Sequence, residues 1–186
     1  MATGLHNGLW LKAILVIAAV VGGYFYFRDP PADAIARGMT VDIEGGTIEY
    51  EGVTYSAEWG EETSHTGDLR YIGRAYDSNA PFITNDAVVT TGEFSDPAIV
   101  EIAPMKNGST HWQSRKKPKG TLIALHFIPA SFEVFEALNF LEQGQTVEFV
   151  GREETDSKIE GSNGSLVGLR HDNHRFLLVE RVNVRE

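Results

Sequence analysis

His171 and His174 flank Asp172, so two imidazoles and a carboxylate fall within four residues. Those are ligands for a divalent cation. An i, i+3 pair converges on an ion only in a helical turn or a tight loop, and this stretch joins two strands with no HExxH helix behind it. It therefore reads as a solvated polar turn. His126 alternates with apolar neighbours just before Pro129, the pattern of a structural histidine, while His65 and His111 fall in polar segments read as loops. No G-x-S-x-G elbow is present for a serine nucleophile. Glu61-Glu62, Glu153-Glu154 and Asp156 could do glycosidase chemistry only across a cleft, and otherwise read as solvated loop acids. The chain has no cysteine, which removes thiolate nucleophiles, thiolate metal sites and disulfides. No catalytic residue, no metal ligand and no cofactor site is expected; the chain reads as a non-enzyme.

The remaining chemistry is that of binding. Arg115-Lys116-Lys117-Pro118-Lys119 is a basic run in a chain of net charge -10, and Trp112 stands just before it. These five side chains (Trp112, Arg115, Lys116, Lys117, Lys119) suit contact with an acidic partner or with anionic lipid headgroups. The overall acidity argues against nucleic acid, whose affinity rests on cations. The expected partners are membrane lipid and other membrane-protein subunits. Asn107-Gly108-Ser109 and Asn163-Gly164-Ser165 match the glycosylation sequon but read as turns.

Something must position these groups, and the first element is oily. Leu9 to Phe27 is a 19-residue apolar stretch whose single charge is Lys12. As a helix it would reach roughly 28 Å, close to the hydrocarbon thickness of a bilayer. Trp10 marks one interface and Tyr24 and Tyr26 the other, and Arg28 to Pro31 stop the run. The layout expected is a short tail over 1–8, a transmembrane helix over 9–28, a linker over 29–38 and a domain over 39–186. Ala18/Gly22 and Ala19/Gly23 are small-xxx-small pairs that could let another helix approach. One span behind a short tail suits a single-pass protein of the inner (cell) membrane with its domain outside, in the periplasm of a Gram-negative cell.

From Met39 the apolar pattern has period two. Val41/Ile43, then Thr47 to Tyr50, then Val53 to Trp59 are separated by Gly45-Gly46 and Glu51-Gly52, which writes a β-meander. Further strands are expected over 69–76, 82–89, 98–102, 121–128, 146–150, 166–169 and 176–184. One helix is expected: Ser131 caps it, Val134, Leu138 and Leu141 share a face, and Gly144 serves as its left-handed C′ residue. The fold class is thus mainly β with one short helix, a small antiparallel barrel or sandwich of OB-like type, behind one transmembrane helix.

His126-Phe127-Ile128-Pro129-Ala130, Ala137-Leu138, Leu141, Gly144, Val147, Val150-Gly151, and Arg170 followed by Glu180 resemble a group of bacterial single-pass membrane proteins with an extracytoplasmic OB-like β domain. That group has a small-residue turn and a cysteine where this chain has His171-Asp172-Asn173-His174 and none. The resemblance implies the architecture and brings no activity with it. The function expected is a non-catalytic accessory subunit of a larger membrane complex, respiratory or photosynthetic for example, whose acidic domain docks on partners. The alternative is a free, membrane-tethered OB-like module that binds a peptide, an oligosaccharide or another ligand.

Overall fold

The computed structural model describes residues 38–75, 80–104, 110–156, 158–168 and 174–185. The chain divides into Met1–Pro31 and Ala32–Glu186, and everything described lies in the second unit. The expected span over 9–28 and its packing residues Ala18, Ala19, Gly22 and Gly23 lie outside the described residues. Among those described, no helix is long and apolar enough to cross a membrane.

Three short strands open the domain: β1 (Thr40–Asp42), β2 (Thr47–Tyr50) and β3 (Val53–Ser56). They pair as the antiparallel meander that the alternation predicts. The turn between β2 and β3 puts both Glu51 (φ 49°) and Gly52 (φ 77°) in the left-handed region, as the tightest right-twisting hairpins require.

β4 (Trp59–Arg74), β5 (Asn85–Thr90), β8 (Leu122–Pro129), β9 (Thr146–Glu154) and β12 (His174–Arg185) close into a five-stranded barrel. Around the ring the order is β4, β5, β8, β12, β9 and back to β4. Every pairing is antiparallel except that between β8 and β12. An α-helix, α1 (Phe132–Asn139), joins the third barrel strand to the fourth in chain order, and a short 3-10 helix (Gly92–Ser95) follows β5. This Greek-key ring with its single intervening helix resembles an OB fold. Two hairpins are inserted. β6 (Val100–Pro104) and β7 (Thr110–Ser114) lie between β5 and β8. β10 (Lys158–Gly161) and β11 (Leu166–Gly168) lie between β9 and β12, and β10 pairs with β3 to complete a five-stranded sheet.

Alternation along each barrel strand sorts its side chains into two cores. Leu69, Val89, Leu125, Phe127, Val147, Phe149 and Leu177 fill the interior, with Leu138 and Leu141 plugging it. The residues one step along, Ile128, Phe176 and Leu178, face outward. They are buried instead against Ile48, Tyr50, Tyr55, Phe82 and Ile159, so the second sheet covers this outer face. Each fully buried aromatic or aliphatic side chain contributes about 1.5–3 kcal/mol.

Several expectations need correction. β4 runs for 16 residues from Trp59, where alternation showed a strand only from 69. Its first half is polar because one face is solvated and the other places Gly67 where Thr90 O leaves no space for a side chain. The segments over 98–102 and 121–128 are shifted by one or two residues, and β7 and β10, both polar, carried no apolar alternation. Ser131 does cap the helix, accepting from Val134 N at 3.4 Å. The helix ends at Asn139, however, with Phe140 as its C-cap. Gly144 (φ 95°) is not its C′ residue: it closes the following turn by donating its N–H to Leu69 O at 2.8 Å.

Candidate functional site

The β6–β7 arm is built on a rigid root. A bulge in β4 between Leu69 and Tyr71 releases Arg70 from the ladder. Its guanidinium donates to Phe94 O through Nη1 and to Val100 O through Nη2, the latter at 2.9 Å. The strands entering and leaving the arm cross there, with Thr91 N donating to Thr121 O at 3.0 Å and Glu93 N donating to Lys119 O at 2.7 Å. A Cβ on Gly120 (φ 113°) would lie 2.1 Å from Thr91 O, so only glycine fits this crossing.

The sequence-predicted contact residues lie on β7 and on the segment that leaves it. Trp112 on β7 is 44% exposed and meets Phe94 edge-on with ring centroids 5.1 Å apart. Lys116 is tied to Glu93, Nζ to Oε1 at 2.7 Å, and the other oxygen of that carboxylate accepts from Lys119 N at 2.8 Å. These two bonds, the Lys116 ammonium first, hold the Glu93 carboxyl below the usual carboxylate range. Arg115 and Lys117 enter no ion pair among the described residues and remain exposed. An open groove of about 650 Å³ runs along the base of the arm, with Pro97, Ala98 and Ile99 on one side and Gln113, Arg115 and Lys116 on the other.

A second constellation lies on the outer face of the barrel. Asp86 on β5 and His126 on β8 are register partners, and Phe176 on β12 is the partner of His126 on its other side. Asp86 Oδ1 lies 2.7 Å from His126 Nδ1, and His126 Nε2 lies 2.9 Å from His174 Nδ1. From β4, the ring of Tyr71 lies over Gly73, the register partner of Asp86. Burial, and then the Asp86 charge, push the Tyr71 phenol up, so it stays neutral. The histidines of this face are thus neither isolated nor in a solvated turn: His174 is 8% exposed. His171 and Asp172 lie outside the described residues, and among the described residues no group of three or more His, Asp or Glu could hold a metal ion.

A third cluster, partly exposed, joins β4, β9 and β12. His65 is the register partner of the buried Phe149, so it lies on a strand and not in a loop. Its Nε2 is 2.6 Å from Glu153 Oε1, and Arg175 Nε is 3.7 Å from Glu153 Oε2. Glu61 and Glu62 belong to β4 and Glu153 and Glu154 to β9, which corrects their reading as loop acids. Glu62 pairs with Arg181 at 3.3 Å.

No family model and no curated protein matches the chain. A solved structure of the mitochondrial single-stranded DNA binding protein from S. cerevisiae is similar over 68% of this chain and 95% of its own, at 10% identity and a TM-score of 0.29. The comparisons bring no likeness to a membrane protein, and the OB-like description rests on the strand order and helix placement given above. The expectation that nucleic acid is no partner is corrected: a single-stranded DNA binding protein is among the similar structures, and the net charge on which the expectation rested does not exclude such a contact. Net charge sums over the whole chain, whereas a nucleic-acid contact needs only a local strip of cations, and the arm carries one. At a TM-score of 0.29 the match assigns no ligand to this chain.

Proposed function

We propose that this chain is a non-catalytic accessory subunit, tethered by its apolar N-terminal segment, that docks on a partner subunit through the β6–β7 arm. What supports the reading is Trp112: a large aromatic left 44% exposed, braced by Phe94 on a hairpin that Arg70 holds to the barrel, and next to exposed Arg115 and Lys117. Aromatic and arginine anchors on a rigid support are what carry binding energy at interfaces. Mild-detergent extraction of the native membrane tests it. The chain should migrate with larger subunits, and a Trp112→Ala/Lys117→Glu variant should migrate alone while keeping its melting temperature. Recovery of the unaltered chain as a monomer would sink the reading.

The Asp86–His126–His174 row favours a second reading, a tethered OB-like binding module. Its Asp86 and His126 belong to β5 and β8, the second and third barrel strands, whose face carries ligands in OB folds, and they keep 18% and 15% side-chain exposure. Under this reading a peptide, an oligosaccharide or a single-stranded oligonucleotide should raise the melting temperature of the isolated chain.

A further inference from the structure

The two faces of the β6–β7 arm differ in chemistry. Ile102 and Trp112 are register partners, and so are Glu101 and Gln113. Side chains alternate along a strand, so the two pairs point to opposite faces. The Trp112 face is the one that packs: it also carries the fully buried Val100, and Phe94 meets the indole edge-on. The other face is polar. There Gln113 Nε2 donates to Glu101 Oε2 at 2.7 Å, and both residues line the groove of about 650 Å³ at the base of the arm. That volume lies within the range of ligand clefts, about 300–1,000 Å³.

The charges along this groove are unevenly satisfied. Lys116 is neutralised by Glu93, whose second oxygen accepts the Lys119 N–H. Arg115 enters no ion pair among the described residues, and Glu101 receives only the neutral Gln113 amide. One cation and one anion are therefore left uncompensated on the same groove. Arg115 stands two residues past Gln113, the register partner of Glu101, a step of about 7 Å along an extended chain. An extended peptide sets its own side chains i and i+2 on one face at that same spacing. Pro97, Ala98 and Ile99 supply an apolar wall for the rest of its contact. A polyanion, by contrast, has no cation to offer Glu101 and is repelled by it.

We propose that this groove binds an extended peptide segment bearing an acidic residue and, two positions along, a lysine or arginine. The acid pairs with the Arg115 guanidinium and the base with the Glu101 carboxylate. The order of the two charges fixes the direction in which the segment lies. The docking reading is tested through co-extraction and through Trp112 and Lys117, neither of which lines the groove, so the two can fail separately.

The test titrates a Val-Glu-Thr-Lys-Val peptide into the ¹⁵N-labelled full chain in detergent micelles. Amide signals of Ile99, Gln113 and Arg115 should shift, and the shifts should weaken as salt is raised. A Val-Glu-Thr-Glu-Val peptide should bind about fivefold more weakly or less still, the upper range for loss of one exposed ion pair. Arg115→Glu should abolish the response to the first peptide. Glu101→Lys should reverse the preference, so that the peptide with two acids binds the tighter, which a merely structural role for Glu101 would not produce. Silence at the groove amides, or an unchanged preference in Glu101→Lys, would overturn the proposal. So would a stronger response of the same amides to a thymidine oligonucleotide, which would make the groove a phosphate site. A failed titration beside co-extraction that still depends on Trp112 would sink the groove and leave the docking reading standing.

Discussion

Lys116 and Glu93 face each other at 2.7 Å across the root of the β6–β7 arm, and the same carboxylate also receives the Lys119 amide. One acid therefore fixes both ends of the segment that carries the basic run.

The Glu93 carboxyl is depressed by Lys116 and then by the Lys119 N–H. The sign follows from linkage. A carboxyl with a lower pKa in the folded state contributes stability above its ordinary value and loses it as pH falls through the folded value. Glu93→Gln should thus loosen the arm at neutral pH, with faster exchange at the Lys119 amide. The difference from the unaltered chain should shrink in acid, below the ordinary carboxylate range. A difference independent of pH would contradict the assignment.

Arg70 acts through a two-nitrogen fork that lysine cannot reproduce. Arg70→Lys should leave the barrel melting within about 1–2 kcal/mol of the original, since typical hydrogen bonds contribute about 1 kcal/mol each. Amide protection on β6 and β7 should nevertheless fall. Unchanged protection there would show that the arm is held by other contacts.

Gly151 and Gly164 make a contrast. A Cβ on Gly151 would lie 2.0 Å from Leu178 O, between the two strands that close the ring. Gly151→Ala should destabilise by at least about 1–3 kcal/mol, the usual cost of overpacking. At Gly164 nothing lies within 4 Å, but φ is 83°, so Gly164→Ala carries only the conformational cost, about 1–2 kcal/mol. Urea denaturation of both variants measures the order, and a reversal would mean the ring relaxes around Gly151.

Phe82 is fully buried and packs on Tyr55 at 4.5 Å between ring centroids, joining the second sheet to the barrel. Phe82→Ala should cost about 3–5 kcal/mol. Protection should fall in β1–β3 and β10 before it falls in β9. A uniform loss would mean the sheet and barrel unfold as one unit.

Much of the fold could be read along the chain because it is local. The meander over 40–56 follows from alternation and two turn pairs, and the helix from Ser131 and the spacing of Val134 and Leu138. The polar strands could not be read this way. The first half of β4 presents solvated acids on one face and the close approach at Gly67 on the other, so no apolar alternation is written there. The Trp112 and Arg115–Lys119 grouping was visible because those residues are neighbours in sequence. The Asp86–His126–His174 row was not. Its members are 40 and 48 residues apart, and only strand register, which depends on partners elsewhere in the chain, sets them side by side. A histidine amid the apolar run 122–129 was the one local sign.

The strand that seals the ring is the last of its five to be made. β12 lies between β8 and β9, and β10 must emerge before β3 gains its outer neighbour. A ribosome releasing this chain therefore exposes a bare three-stranded sheet until β10 appears and an unsealed ring until β12 appears. Contacts so distant in sequence slow folding. The nascent domain is thus open to chaperones, and to mispairing along the free edges of β8 and β9, until β12 is in place.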